Sequence, residues 1–153
     1  MANKNGKAEI IAEDKNGFTD KSLLRYPGGK TRGIETIIQY FPANLKEICS
    51  PFFGGGSIEL YLAAKGIKVY GYDIFTPLVE FWECVIKSPH ELAVIVQRYY
   101  PLPKELFYQL QQKQTKFRTK LERAAVYYVL NRSSFSGATL SGGMSPGHPR
   151  FTE

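Results

Sequence analysis

Glu47-Ile48-Cys49-Ser50-Pro51-Phe52-Phe53-Gly54-Gly55-Gly56-Ser57, followed by Lys68-Val69-Tyr70-Gly71-Tyr72-Asp73, is the stretch that decides the fold. Glu47 to Cys49 predicts a short buried strand. It runs into a loop that only glycine-rich sequence tolerates. Ser57 fits an N-cap, and Ser57 to Lys65 predicts a helix stopped by Gly66. Lys68 to Tyr72 predicts a second strand, with Asp73 at its carboxyl end. Strand, glycine loop, helix, strand and acid make one βαβ unit, and such units build parallel sheets of the α/β class.

Where side chains are absent, backbone approaches a ligand closely, and the following helix offers unpaired N–H groups. Open α/β sheets bind ligands at the carboxyl ends of their strands. Asp73 follows Gly54 by 19 residues, the spacing at which an acid accepts hydrogen bonds from ribose hydroxyls. The unit therefore fits an adenosine-type ligand. Gly54-x-Gly56-x-x-Glu59 lacks the third glycine of a dinucleotide loop, which weighs against NAD. Taken alone, Asp73 also fits a turn acid or a cap before Phe75.

Two further motifs flank this unit. Arg25-Tyr26-Pro27-Gly28-Gly29-Lys30-Thr31 contains the Gly-Lys-Thr of a phosphate-binding P-loop, but Leu24 stands where that loop needs its first glycine. A tight turn before a helix, with Lys30 solvated, is the expected reading instead. Leu130-Asn131-Arg132-Ser133-Ser134-Phe135-Ser136-Gly137 reads by itself as a helix end with a C-terminal cation.

Helices account for most of the remainder. Ile34, Ile37, Ile38 and Phe41 form one apolar face, ended by Pro42. Leu78, Phe81, Trp82 and Val85 mark another helix after Pro77. Ser88-Pro89-His90-Glu91 predicts a capping box, with Leu92, Ile95, Val96 and Tyr99 as the buried stripe. After Pro101 and Pro103, helices are expected at about 104–117 and 120–131. From Ser133 the chain is rich in Ser, Gly and Pro. The expected organisation is a loose arm at 1–20, a cofactor-binding portion at 21–88 and a helical and loop segment at 89–153.

Of a net charge of +6, most lies between Lys104 and Arg132, where seven cations face two acids. Such a cluster is the footprint of a surface that meets phosphates, although a solvated helix face has the same composition. With 43% hydrophobic and 14% aromatic residues, the 153-residue chain has the makings of one core and is not of disordered composition. No apolar run reaches the roughly 20 residues of a membrane span, and the first residues lack a signal-peptide core. Cys49 and Cys84 have no metal-ligand spacing and no disulfide framework. The expectation is a cytoplasmic monomer that binds no metal and no membrane.

In their order, these motifs resemble the Dam-like family of DNA adenine methyltransferases. The family's aromatic-x-Gly-Gly-Lys motif is matched by Tyr26 to Lys30. Its Phe-x-Gly-x-Gly-Ser loop is matched by Phe52 to Ser57, and its strand-ending acid by Asp73. Its Asn-Arg-x-x-Phe-x-Gly signature is matched by Asn131 to Gly137. The resemblance implies a Rossmann-like S-adenosylmethionine-dependent methyltransferase fold with a helical DNA-recognition insert. It implies that Tyr26, Lys30, Phe53, Gly54 and Asp73 hold S-adenosylmethionine. Lys116, Arg118, Lys120 and Arg132 would meet the phosphates of double-stranded DNA. Such enzymes act on an adenine turned out of the duplex, and Phe135 would wedge into the vacated space; packing at the base of the insert is the alternative.

The family's catalytic Asp-Pro-Pro-Tyr holds the target amino group and stacks on the base. No Pro-Pro occurs in these 153 residues. In the family's motif order the tetrapeptide follows Glu153, so the sheet is expected to be incomplete and the chain by itself inactive. Two other functions fit parts of the sequence: a non-catalytic nucleic-acid-binding module, and an ATP-binding protein using Gly28-Gly29-Lys30-Thr31.

Overall fold

The computed structural model describes residues 10–12 and 22–145. They fall into two compact units. The first comprises the described residues up to Leu23 with Gly28–Ile74, and the second Leu24–Pro27 with those from Phe75 onward.

The first unit contains the βαβ element. β2 (Glu47–Ser50) and β3 (Lys68–Gly71) pair in parallel, Glu47 opposite Lys68 and Ser50 opposite Gly71. α2 (Ser57–Ala64) makes the crossover and buries Leu60, Leu62 and Ala63. Gly66, at φ +80°, ends it by adopting the left-handed conformation that leaves the last carbonyls satisfied. β1 (Ile10–Ala12) adds to the other side of β3, antiparallel, giving the order β1-β3-β2. The stretch expected to be a loose arm thus contains a strand; its other residues, 1–9 and 13–20, lie outside the described ones. The helix expected from Ile34 to Phe41 is shorter. A 3-10 turn at Thr31–Gly33 leads into α1 (Ile34–Ile38).

The second unit is helical: α3 (Thr76–Lys87), α4 (Pro89–Gln97), α5 (Lys104–Lys113) and α6 (Lys120–Ser133), with a 3-10 turn at Gln114–Lys116 after α5. α6 is its axis. Ala124, Ala125, Val126, Tyr127, Val129 and Leu130 are all buried, and two alanines in succession let neighbouring helices approach closely. On one side α3 delivers the predicted Leu78, Phe81 and Trp82. The Phe81 ring stacks on Tyr128 at 5.4 Å and meets Trp82 edge-on at 5.1 Å. On another side Leu102, Phe107 and Leu110 pack with Val126, Val129 and Leu130. This packing puts α3 in the second unit. The compact units divide between Ile74 and Phe75, whereas the expected organisation drew its division after Ser88.

Two expected caps are not made. Gly56, at φ +68°, occupies the N-cap of α2, and Ser57 is its first helical residue. Ser88 stands at the N-cap of α4, but its side chain accepts no cap hydrogen bond. A capping box forms instead at α6, where Thr119 Oγ1 accepts from the Glu122 amide and Glu122 accepts from the Thr119 amide. Both Thr119 hydrogen bonds, side-chain and backbone, favour the ionised Glu122 and lower its pKa. A lowered folded-state pKa means that the stabilisation is complete above the unfolded value, about 4.3, and is lost as pH falls through the folded value. In urea unfolding, Glu122→Gln should therefore lower the midpoint at pH 7 and approach the parent as the pH falls toward 3.

Candidate functional site

The ladder of the parallel pair sets the geometry of the glycine loop. Tyr72 donates its amide to Ser50 O and Phe53 donates to Tyr72 O, both at 2.8 Å, so the pairing continues past the strands. Gly54 then donates its amide to Asp73 Oδ2 at 2.9 Å. The loop and the acid, distant in sequence, converge as the βαβ pattern predicts. Gly54 and Gly56 both have positive φ, at 53° and 68°, which only glycine adopts without cost. The hydroxyls of Thr31 and Ser57 lie 2.9 Å apart, and Ser22 Oγ donates to Gly55 O, which ties the neighbouring segments to the loop.

Phe53, expected to face a ligand, is 5% exposed. Its ring covers two glycines. A Cβ on Gly56 would lie 2.5 Å from Phe53 Cε1, and one on Gly71 would lie 2.2 Å from Cδ2. Phe53 therefore packs under the loop, and Phe52 projects from it at 86% exposure. Ile74, the residue after Asp73, is 94% exposed. Of two successive aromatics beside the glycine turn, only one has room beneath it, so the other, Phe52, is left exposed. Lys30 Nζ donates to Gly28 O at 2.6 Å, within its own turn. Residues 22–27 ahead of this turn form no strand, so the context of a P-loop is absent among the described residues.

Tyr26 belongs to the second unit, and Lys30, Phe53, Gly54 and Asp73 belong to the first. There the buried Asn131 holds its segment in place. Asn131 Oδ1 accepts from the Arg25 amide at 2.9 Å, and Nδ2 donates to Arg25 O at 3.0 Å, to Thr139 Oγ1 and to Gly137 O. Gly137 has φ +75°, and a Cβ there would stand 1.9 Å from Arg25 O. Above this joint is a cavity of about 300 Å³ lined by Tyr26, Pro27, Phe75, Tyr127 and residues 137–141. Gln111 Nε2 donates to Thr139 O and Gly142 O and fixes that wall. The Asn-Arg-x-x-Phe-x-Gly signature thus begins with a buried clasp. It continues to Phe135, 68% exposed, on a turn where Ser136 takes φ +52°. Phe135 donates its amide to Gly143 O at 2.9 Å, which secures the turn. Residues 146–153 of the Ser-, Gly- and Pro-rich segment lie outside the described residues.

The cations of the second unit divide by partner. Arg123 Nε and Nη2 bind Glu80 at 2.8 and 2.5 Å, and Lys120 Nζ binds Glu83 at 2.6 Å. These hydrogen bonds raise the pKa of both cations. Lys120 is thus charge-compensated before any phosphate arrives. Lys116 and Arg118 are exposed, and Arg132 is partly buried in the last turn of α6. Burial raises the Cys84 thiol, which makes it a poor nucleophile. Among the described residues no group of His, Cys, Asp and Glu is arranged to hold a metal ion, and no helix is long and apolar enough to cross a membrane.

The fold is mixed α/β, with a glycine loop closed on an acid at the carboxyl end of parallel strands. The family model for D12 class N6 adenine-specific DNA methyltransferases matches residues 26–145, and the chain belongs to that family. No curated protein matches the chain. The match begins at Tyr26 and takes in both the Asp73 loop and the Asn131 clasp. Asn131→Ala should unfold at lower urea, with a loss of about 3 kcal/mol, because it strands both the amide and the carbonyl of Arg25 without their partner.

Proposed function

We propose that the chain binds S-adenosylmethionine on a Rossmann-like unit and grips double-stranded DNA with its helical unit, in the service of methyl transfer to adenine N6. The hydrogen bond from the Gly54 amide to Asp73 is the observation that carries this assignment. A carboxylate held by a backbone amide at a sheet's carboxyl edge is preorganised to accept hydrogen bonds from a ribose diol. Phe52 and Ile74 flank it with exposed apolar surface for the ligand's less polar parts. Lys30 lies in the same unit and is assigned to the cofactor's surroundings. Tyr26 is assigned to the aromatic cavity of the second unit, whose volume suits one planar base. S-adenosylmethionine would supply the activated methyl group; the protein's part is to bind and orient. No Pro-Pro occurs in the 153 residues, so binding, not turnover, is what this chain is proposed to provide.

For DNA, Lys116, Arg118 and Arg132 are proposed as phosphate contacts, and Phe135 as a side chain that enters the base stack. A turn fixed through backbone hydrogen bonds can press an exposed ring against DNA without folding back. Lys120, compensated by Glu83, is proposed to contribute less than the others.

Calorimetric titration with S-adenosylhomocysteine tests the cofactor site. Asp73→Ala is expected to weaken binding at least tenfold, and equal affinity in the variant would refute the assignment. The DNA face is tested by the salt dependence of duplex binding. Lys116→Ala and Arg118→Ala should each reduce the slope of log K against log salt by about 0.9, and Lys120→Ala by less.

A further inference from the structure

Glu59, in the helix that follows the glycine loop, has no task in the proposed function. It stands where a dinucleotide-binding loop carries its third glycine, in the first turn of α2. In such loops the backbone amides here receive phosphate. A carboxylate at this place repels phosphate and attracts a cation.

Its position is defined. Glu59 is partly buried, and its Oε1 accepts from Ser50 Oγ at 2.6 Å. Ser50 is the last residue of β2, so this carboxylate is drawn back to the root of the glycine loop, at the carboxyl edge of the sheet. Asp73 marks the same edge from the end of β3. Of the other described acids in this unit, Glu47 begins β2, at the opposite edge, and Glu35 is exposed on α1. Two carboxylates therefore flank the loop, Glu59 from the first turn of α2 against the end of β2, and Asp73 from beyond the end of β3.

S-adenosylmethionine carries a sulfonium and an α-ammonium at the end remote from its adenine. Cations removed from water need anionic partners. We infer that Glu59, steadied by Ser50, receives the α-ammonium of the cofactor and makes the loop selective for a cationic nucleoside over phosphate-bearing nucleotides. This rests on the proposed placement of the ribose at Asp73. Its chemistry is separate: Asp73 acts on neutral hydroxyls and Glu59 on a charge.

Two ligands of the full chain separate the contributions. S-adenosylhomocysteine has the ribose and the ammonium but no sulfonium, and 5′-methylthioadenosine has the ribose and neither charge. Glu59→Gln keeps the shape and removes the anion. By isothermal titration calorimetry it should weaken S-adenosylhomocysteine about tenfold and leave 5′-methylthioadenosine unchanged. Ser50→Ala, which only loosens the carboxylate, should give a smaller loss with the same selectivity. Equal losses for both ligands would reduce Glu59 to a support of the helix, and an unaltered S-adenosylhomocysteine affinity would remove it from the site; either overturns the inference. If the parent chain binds neither ligand, the cofactor site itself is refuted, and the role of Glu59 with it.

Discussion

A single backbone-to-carboxylate hydrogen bond, from Gly54 to Asp73, closes the glycine loop of the βαβ unit onto the acid at the end of its second strand. Parallel pairing alone brings the ends of β2 and β3 to the same edge. The bond fixes the loop against the acid, and it requires Gly54 at positive φ, where any side chain would be strained. Phe53 then fills the space beneath, where Gly56 and Gly71 leave room for its ring. The glycines thus serve two purposes: some give the backbone its turn, and others accommodate an aromatic that keeps the turn rigid.

The helical unit relies on a comparable device of different chemistry. Asn131 offers one acceptor and two donor hydrogens, and its amide matches the N–H and C=O of Arg25 much as a neighbouring strand would. The same amide reaches Gly137 and Thr139. A buried side chain thereby holds both walls of the aromatic cavity. An unpaired amide in that position would be costly, which is why a fully bonded one specifies the arrangement so strongly.

Charge is distributed with similar economy. The basic stretch from Lys104 to Arg132 looks uniform in sequence but is divided in space. Arg123 and Lys120 join α6 to α3 through Glu80 and Glu83, whereas Lys116 and Arg118 face outward before α6 begins. Exposed cations and an interhelical ion-pair network therefore come from one run of residues.

The sequence by itself determined the βαβ unit and the helices after it in their order, but not β1. Hydrophobic spacing marked α3 through Leu78, Phe81 and Trp82, and glycine placed the loop and the end of α2. The 19-residue interval placed Asp73, because a strand, helix and strand of these lengths return the chain to the edge it left. Tertiary structure decided what depends on competition between distant groups. Which of Phe52 and Phe53 is buried turns on Gly71, a residue of another strand. Whether Ser88 or Thr119 caps a helix depends on what each hydroxyl finds nearby, and Ser57 meets Thr31 instead of its own helix. The pairing of β1 with β3, the grouping of α3 with α6 and the partners of Lys120 were likewise beyond reach of local pattern. Periodicity states which face of an element is apolar; only the assembled chain supplies the surface that the face meets.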